Sequence, residues 1–247
     1  MIGPAWGVPS LAFKIAQTLR IDMTTRSTPR PKTPAAPRRK PGVREQSALD
    51  TQDNILRAAT QIFAKHGYSG GRVDQISKAA KSHDRMIYYY FGSKDGLYLA
   101  VLEEAYRRMR TIEADLHLDD MEPIAALRRL VEFTYDHHQG NEDFIRLISS
   151  ENIHRAHFLR QSKNIRELNS NAIEVVKAIY ERGVQQGLLR DGLEPIDIHA
   201  AISALTVYNV SNRHTFGVIF NLECNNQKAQ ILKREQVVSL VLAYCMK

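Results

Sequence analysis

The chain has 247 residues, 43% of them hydrophobic, and a formal net charge of +7. That length accommodates one large domain or two small ones around a sizeable core, and the positive balance favours a polyanionic partner. Its two cysteines, Cys224 and Cys245, are far from any C-x-x-C or zinc spacing, which argues against a disulfide scaffold and fits a reducing, cytoplasmic compartment.

Residues 1–22 carry Leu11, Phe13, Ile15 and Leu19, a short amphipathic pattern. Lys14 interrupts the apolar run and no A-x-A site follows, unlike a signal peptide, and the stretch is too short and polar to span a bilayer. Met23 offers a second start, so residues 1–22 read either as part of the protein or as the product of an upstream start codon, and as disordered in both cases. Residues 23–46 are rich in Pro, Thr, Arg and Lys, with Glu45 as the only acid and no apolar periodicity. Residues 1–46 are therefore expected to be a disordered basic extension. A solvated linker and a basic arm on phosphates both fit it. The arm, with Arg38, Arg39, Lys40 and Arg44, is favoured by its position directly before a helix-turn-helix pattern.

Ile55, Ala58, Ala59, Ile62 and Phe63 form a helical stripe that Gly67 ends. Val73, Ile76, Ala79 and Ala80 then mark one face of a short helix. After the polar break Lys81-Ser82-His83 comes a second short helix, with Ile87 and Phe91 turned inward. Two short helices joined by such a turn make a helix-turn-helix, whose second helix enters the major groove. The outward residues of that helix would be Asp84, Arg85, Met86, Tyr89 and Tyr90, all able to reach phosphates or base edges. On spacing alone the tyrosines fit an aromatic core wall equally well. Ser93 caps a further helix through Leu97, Ala100, Val101, Ala105 and Met109, ending near Asp115.

The whole unit, residues 50–102, resembles the N-terminal DNA-binding domain of the TetR/AcrR family of transcriptional regulators. The residues that carry the resemblance are Ile55-Leu56, Ala58-Ala59, Phe63, Gly67-Tyr68, Val73, Ile76, Ala80, Ile87 through Phe91, Ser93-Lys94 and Leu97. Three positions depart from the family pattern: Gly71 stands where Thr is usual, Lys81 where Gly is usual and His83 where Ser is usual. Gly71 thus lacks a hydroxyl cap, Lys81 is expected to adopt a positive φ at a steric cost, and Ser82 or Asp84 would replace the cap missing at His83. The resemblance implies phosphate contacts by Arg72, Tyr88, Tyr90 and Lys94. Arg85 is expected to contact a guanine, Met86 a thymine methyl, and Asp84 a cytosine amino group or a backbone cap. Asp74, His83, Tyr89 and Arg44 complete the expected DNA-binding set.

Beyond the fourth helix a polar break at 118–122 precedes Pro123, a good first helical residue. Ile124, Leu127, Leu130, Val131 and Tyr135 predict a fifth helix ending near Gly140, and Phe144 to Ile148 a sixth. The pattern from Ser162 to Gly187 predicts a long seventh helix, followed by helices over 196–213 and 228–244. Nothing alternates as a strand does, so the fold class is all-α. A helix-turn-helix domain at 47–94 is followed by a C-terminal helical domain at 95–247. The resemblance implies that this second domain binds a ligand and dimerises. Ala200, Ala201, Ser203 and Ala204 permit the close helix approach that a two-fold interface needs.

One polar cluster is unexplained by packing. Glu151, His154 and His157 fall at i, i+3 and i+6, with Arg155 beside them and His137-His138 one helix earlier. Antiparallel packing would bring these together with Phe158, Tyr208 and Asn212 around a small-molecule effector; a solvated helix end, or a partner contact at Tyr208 and Asn212, is the alternative. Neither an H-E-x-x-H motif nor a companion cysteine accompanies the histidines, so no metal and no cofactor is implied. Phosphate-binding loops, G-x-S-x-G elbows and paired catalytic carboxylates are also missing, which argues against an enzyme built on the His137/Glu151 region. The prolines of residues 23–46 argue against a basic amphipathic membrane helix. The expectation is a cytoplasmic, homodimeric regulator, a repressor rather than an activator, that leaves a palindromic double-stranded operator when an effector binds.

Overall fold

The computed structural model describes residues 41–223 and 226–247, with side chains from residue 46 onward. Most of the expected basic extension, Cys224 and the side chain of Arg44 therefore lie outside the described residues. Ten α-helices make up the described chain: α1 (Pro41–Gly70), α2 (Val73–Ala79), α3 (Asp84–Phe91), α4 (Lys94–Ala114), α5 (Pro123–Gly140), α6 (Glu142–Ile153), α7 (Lys163–Gln185), α8 (Pro195–Ser211), α9 (Arg213–Phe220) and α10 (Gln227–Cys245). No strand occurs among the described residues; an isolated bridge pairs Leu189 with Met246. The fold is all-α, as the sequence predicts. α1 starts at Pro41, inside the segment expected to be extension.

The local signals act where the sequence places them. Gly67 breaks α1 with φ 69 and ψ 176, a conformation open essentially only to glycine, and turns the chain toward α2. Ser93 caps α4 by accepting from the Gly96 amide at 3.0 Å, and Ser162 caps α7 through the Ile165 amide at 3.1 Å. Proline opens α5 and α8. Lys81 takes φ 52 at the α2–α3 turn, the strained position anticipated for it.

Other expectations fail for identifiable reasons. Arg72, not Gly71, stands at the N-cap of α2, and neither it nor His83 at the start of α3 makes a side-chain cap. Asp84 does not substitute: it is the first residue of α3, past the cap position, and one of its carboxylate oxygens accepts from the Ser77 hydroxyl across the turn. Ala79 is exposed while Ala80 is buried, since a seven-residue helix presents only one narrow face to α1. The helix expected over 196–213 ends at Ser211, and a separate helix, α9, follows it. Of the apolar residues Ile231, Val237, Val238, Leu240, Val241 and Leu242 that mark the last helix in the sequence, Ile231 and Leu240 are exposed; the buried side of α10 is Val237, Val238, Val241, Leu242 and Cys245.

Two large cores, with a smaller cluster of Met109, Phe144, Ile145 and Val210 from α4, α6 and α8, organise the described residues. The head core gathers Ile55, Ala59, Phe63, Ile76, Ile87, Leu97, Tyr98, Val101 and Leu102, and it runs on without a gap to Leu147, Phe158 and Ile165. Apolar packing thus crosses the expected boundary between residues 94 and 95. The body core joins α5, α7, α8 and α10 through residues such as Leu127, Leu130, Ile179, Ile198, Ile202 and Val238. Arg182 on α7 holds the 118–122 turn by donating to the carbonyls of Leu118, Asp119 and Met121 at 3.0, 2.6 and 3.1 Å. Tyr180 similarly donates to the Arg190 carbonyl at 3.1 Å and accepts from the Leu193 amide at 2.9 Å.

Gly183 lets the next turn close: a Cβ there would stand 2.4 Å from Cδ1 of Leu189, which is itself buried. Gly183→Ala is expected to lower stability by about 1–2 kcal/mol, overpacking outweighing the roughly 1 kcal/mol helical advantage of alanine. Lys81→Gly should raise stability by about 0.5–1 kcal/mol by relieving left-handed strain. Urea unfolding followed by circular dichroism measures both; equal midpoints for wild type and variants would refute the two steric arguments.

Candidate nucleic-acid interface and interior polar cluster

α3 stands on α2 and α4 with Ile87 as its fully buried anchor. Met86, Tyr90 and Phe91 lean on the same core, so the outward reading of Met86 and Tyr90 holds for only part of each side chain. Arg85 is exposed, as are Tyr88 and Tyr89, and Tyr89 packs edge-on against Tyr90 with centroids 5.0 Å apart. Exposed aromatic and guanidinium groups on one short helix can reach base edges and phosphates together. Asp84, bound to Ser77, fixes the spacing of α2 and α3 rather than projecting freely.

The expected phosphate ligands sit at both ends of the two short helices. Arg72 forms a bidentate pair with Asp74 at 3.0 and 2.9 Å, both side chains mostly exposed. Such an exposed pair is worth little in water and opens readily to a phosphate. His83 is exposed, and its carbonyl accepts from the Met86 amide at 2.8 Å. Lys94 lies over the Tyr68 ring, 4.6 Å from its centroid, while the Tyr68 hydroxyl donates to Asp95. Burial, then that carboxylate, push the Tyr68 phenol up to about 12. Two cations were missed by sequence reasoning. Lys78 on the exposed side of α2 and Lys81 in the turn make no ion pair among the described residues, nor does Arg85. Their signal was the basic spacing Lys78-x-x-Lys81 flanking the turn.

The expected effector cluster does not assemble. Glu151 is buried, but its carboxylate accepts from the amides of Phe158 and Leu159, each at 3.1 Å. Arg155 and Ala156 both adopt left-handed conformations (φ 57 and 56), which breaks the helical phase and leaves His154 and His157 exposed. Phe158 is seated among Tyr68, Tyr98 and His157, and Tyr208 is on an outer face against Phe216. Asn212 ends α8, its side-chain oxygen accepting from the Ser211 hydroxyl at 2.7 Å. Two surface grooves, of about 540 and 450 Å³, are lined by none of these residues. No group of three or more His, Cys, Asp or Glu suited to a metal occurs among the described residues.

His137 and His138 instead face a different interior cluster. Arg110 and Glu113 of α4 form a buried ion pair through one guanidinium nitrogen, at 2.7 and 2.6 Å to the two carboxylate oxygens. Nε of Arg110 and Nδ1 of His137 are buried without partners. The Thr206 hydroxyl donates to the Ile202 carbonyl at 2.8 Å, so Nδ1–H of His138 is the donor in its 2.9 Å contact with Thr206. Burial, then the Arg110 charge, lower His137 to about 4. Burial, then His137, Arg110 and His199, lower His138 to about 3. His199 is shifted down for the same first reason, burial, with Arg110 second. Burial raises Glu113, against the opposing pull of Arg110. The result is one buried ion pair among neutral imidazoles, with the Nε–H of its guanidinium unfilled.

The family model described as "Bacterial regulatory proteins, tetR family" matches residues 55–101, and that described as "Tetracyclin repressor-like, C-terminal domain" matches residues 123–241. The chain is 42% identical over 192 residues to the HTH-type transcriptional repressor NicS of Pseudomonas putida, covering 78% of this chain and 91% of that protein. Among solved structures, the fatty acid degradation regulator FadR from Bacillus halodurans shares the fold with a TM-score of 0.61 at 21% identity, over 78% of this chain and 94% of that one. FadR from Bacillus subtilis, solved in complex with stearoyl-CoA, does so with a TM-score of 0.56 at 20% identity, over 77% and 97%. The helix-turn-helix head and the helical body are thus each matched in their own right, and the chain belongs to the TetR family of bacterial transcriptional regulators.

Proposed function

We propose that the protein is a homodimeric repressor that reads a palindromic operator and releases it when a small anionic effector enters the body. The observation that carries the DNA reading is the α3 face, with Arg85 free of ion pairs among the described residues and Tyr88 and Tyr89 exposed beside it. Arg85 reads a guanine and Met86 a thymine methyl. Arg72, Lys78, Lys81, Tyr88, Tyr90 and Lys94 hold phosphates. Asp84 acts by positioning α3. The arm residue Arg44 remains part of this reading.

The dimer reading rests on α8. Its inner side packs on the body core, yet Ile196, Ala200, Ala204 and Tyr208, spaced by four, leave an uncovered apolar stripe. A helix apolar on both sides is covered on both sides in a stable assembly. With two heads on one axis, each α3 meets one half-site about one DNA turn from the other.

For the effector, the Arg110 cluster replaces the convergent site expected around Glu151, His154 and His157. A carboxylate would satisfy the open Nε–H of Arg110, beside the unpartnered Nδ1 of His137. Neither of the two surface grooves is lined by residues of this cluster, and the proposed ligand enters between α4, α5 and α8. α4 carries Arg110 near one end and head-core residues near the other. Ligand binding thereby favours a head placement with lower operator affinity, and the coupling is reciprocal. The stearoyl-CoA complex of the Bacillus subtilis neighbour supports a ligand for a chain of this fold, though of different chemistry.

Selection of bound duplexes from random DNA at fixed moderate salt tests the operator reading. A palindromic motif is expected; salt-sensitive binding without sequence enrichment would overturn it. Arg85→Ala should cost about 1–3 kcal/mol and relax one base position, whereas Lys94→Ala should weaken all duplexes alike and reduce the salt slope by about one. Equal losses on every sequence for Arg85→Ala would remove its base-reading role. For the effector, a thermal-shift screen of small carboxylic acids should give hits with wild type and none with Arg110→Met. Hits that persist in the variant would place the site elsewhere.

The buried imidazoles set the acid response. His137 and His138 titrate near 4 and 3 when folded but near 6.5 when unfolded, so the unfolded chain binds more protons between those values. Their contribution is complete above about pH 6.5 and drains as pH falls, by at most about 1.4 kcal/mol per pH unit for each imidazole. Urea midpoints from about pH 8 to about pH 5 should be flat, then fall, with a shallower fall in His138→Phe. An unchanged slope in that variant would contradict the neutral buried state.

A further inference from the structure

The turn between α6 and α7 carries the residues that the expected effector cluster left without a task. From Asn152 to Arg166 the chain holds Arg155, Arg160, Lys163 and Arg166, with His154 and His157, and no Asp or Glu. All six of these residues are exposed, and none enters an ion pair among the described residues. Arginines elsewhere in the body are mostly compensated. Arg107, Arg128, Arg146, Arg213 and Arg234 pair with carboxylates, Arg182 donates to three carbonyls, and Arg190 lies over the Tyr244 ring. Three carboxylates around the turn are already bonded: Glu151 to the Phe158 and Leu159 amides, Glu103 to the Ser162 hydroxyl at 2.6 Å, and Asp95 to the Tyr68 hydroxyl. A surface band of uncompensated cations suits a polyanion.

The band is also held in place, and it is held on the head. The His154 ring donates from Nδ1 to the Ser150 carbonyl at 2.7 Å, and the Arg166 guanidinium to the Arg160 carbonyl at 3.0 Å. Phe158, Leu159 and Ile165 pack with the head core. Three ring contacts then lead to the start of α4. His157 meets Phe158 at 4.9 Å, Phe158 meets Tyr68 at 4.5 Å, and the Lys94 ammonium lies 4.6 Å over Tyr68. We propose that the α6–α7 turn is a second phosphate-binding surface, on which Arg155, Arg160 and Lys163 hold the DNA backbone outside the half-site that α3 reads. The inference rests on the operator reading and adds to it a contact between the body and the duplex. Two observations select duplex DNA among polyanions. The band adjoins Lys94, the phosphate ligand of the head, so a duplex held by α3 is brought to it. The band also exposes no Phe, Tyr or Trp on which an unpaired base could stack, which suits a paired backbone rather than a single strand. Contacts of this kind strengthen and orient binding without reading sequence.

The test uses the duplex enriched from random DNA, either trimmed to its palindrome or extended at each end by about one helical turn. Full-chain wild type is compared with Arg155→Gln/Arg160→Gln/Lys163→Gln and with Arg160→Gln/Lys163→Gln, which spares the left-handed Arg155. Fluorescence anisotropy across salt concentrations is the readout, with circular dichroism to check folding. On the extended duplex the triple variant should bind at least about tenfold more weakly, with a log–log salt slope shallower by about two to three per protomer, and the double variant by about one to two. On the trimmed duplex the three proteins should bind alike, and the preferred sequence should not change. Equal slopes on the extended duplex, with wild type still sequence-specific, overturn the role of the turn and leave the operator reading standing. Equal losses on both duplexes overturn the assignment to flanking DNA. Failure of wild type to enrich any motif overturns both readings. Binding of wild type, but not the triple variant, to phosphatidylglycerol vesicles with DNA slopes unaltered overturns the proposal in favour of a lipid surface.

Discussion

A buried carboxylate fixes how the DNA-binding head meets the rest of the chain. Glu151 is 1% exposed and binds the amides of Phe158 and Leu159, closing a turn in which Arg155 and Ala156 are both left-handed. Each of those residues is strained by about 1–2 kcal/mol. Two hydrogen bonds to a charged acceptor, at about 1.5–3 kcal/mol each, offset that strain. What the turn secures is the seat of Phe158, whose ring lies 4.5 Å from Tyr68 and 4.8 Å from Tyr98. Tyr68 follows the Gly67 break and Tyr98 lies on α4, so one side chain from beyond α6 joins two elements of the head. The Tyr98 phenol, raised to about 12 first by burial and then by Glu151, stays protonated beside the carboxylate.

α4 is the second shared element. Leu97, Tyr98, Val101 and Leu102 belong to the head core, and Arg110 and Glu113 lie further along the same unbroken helix. An α-helix bends only by disturbing its own hydrogen-bond ladder, so a displacement at one end is carried to the other. The Arg110–Glu113 pair is a costly thing to bury: two charges lose water and recover only part of that through each other. Imidazoles held neutral on α5 and α8 add polarity without adding charge, which is why the cluster can sit between three packed helices at all.

Much of the fold was legible because its signals are local. Ser93, Ser162, Pro123 and Gly67 act within one turn of themselves, and the apolar stripes of α1, α5 and α7 have a helical period that needs no partner to be seen. The strain at Lys81 was legible for the same reason. The missing cap at His83 was not, because it depends on where α3 begins and on the bond from Ser77 to Asp84 across the α2–α3 turn. The misreading of Glu151, His154 and His157 is also physical: the i+3, i+6 pattern assumes one continuous helix, and two left-handed residues destroy that phase. Arg110 and Glu113 at i and i+3 look in sequence like an ordinary solvated pair. Only the packing of α4 against α5 and α8 reveals them as interior, and only that packing brings His199 and Thr206 to them. α9 escaped because 213–220 continues the apolar character of α8 beyond a break at Asn212 that no glycine or proline announces.

The placement of charge then separates the tasks of the molecule. Cations flank α2 and α3, where a polyanion supplies the opposite sign, while α8 and α9 between residues 198 and 222 hold almost none. An eight-residue helix touches few bases, and each correct base pair contributes only about 1–3 kcal/mol of discrimination. One head therefore cannot tell an operator from the bulk of a genome, but two heads held at a fixed spacing nearly double the discriminating free energy. On the proposed reading, that spacing is set at the uncharged face and altered at the Arg110 cluster, so neither site needs to touch DNA. A ligand has only to make the two heads fit their half-sites less well than the unliganded dimer does, and the charge-free interface is what allows the same two chains to pack in either arrangement.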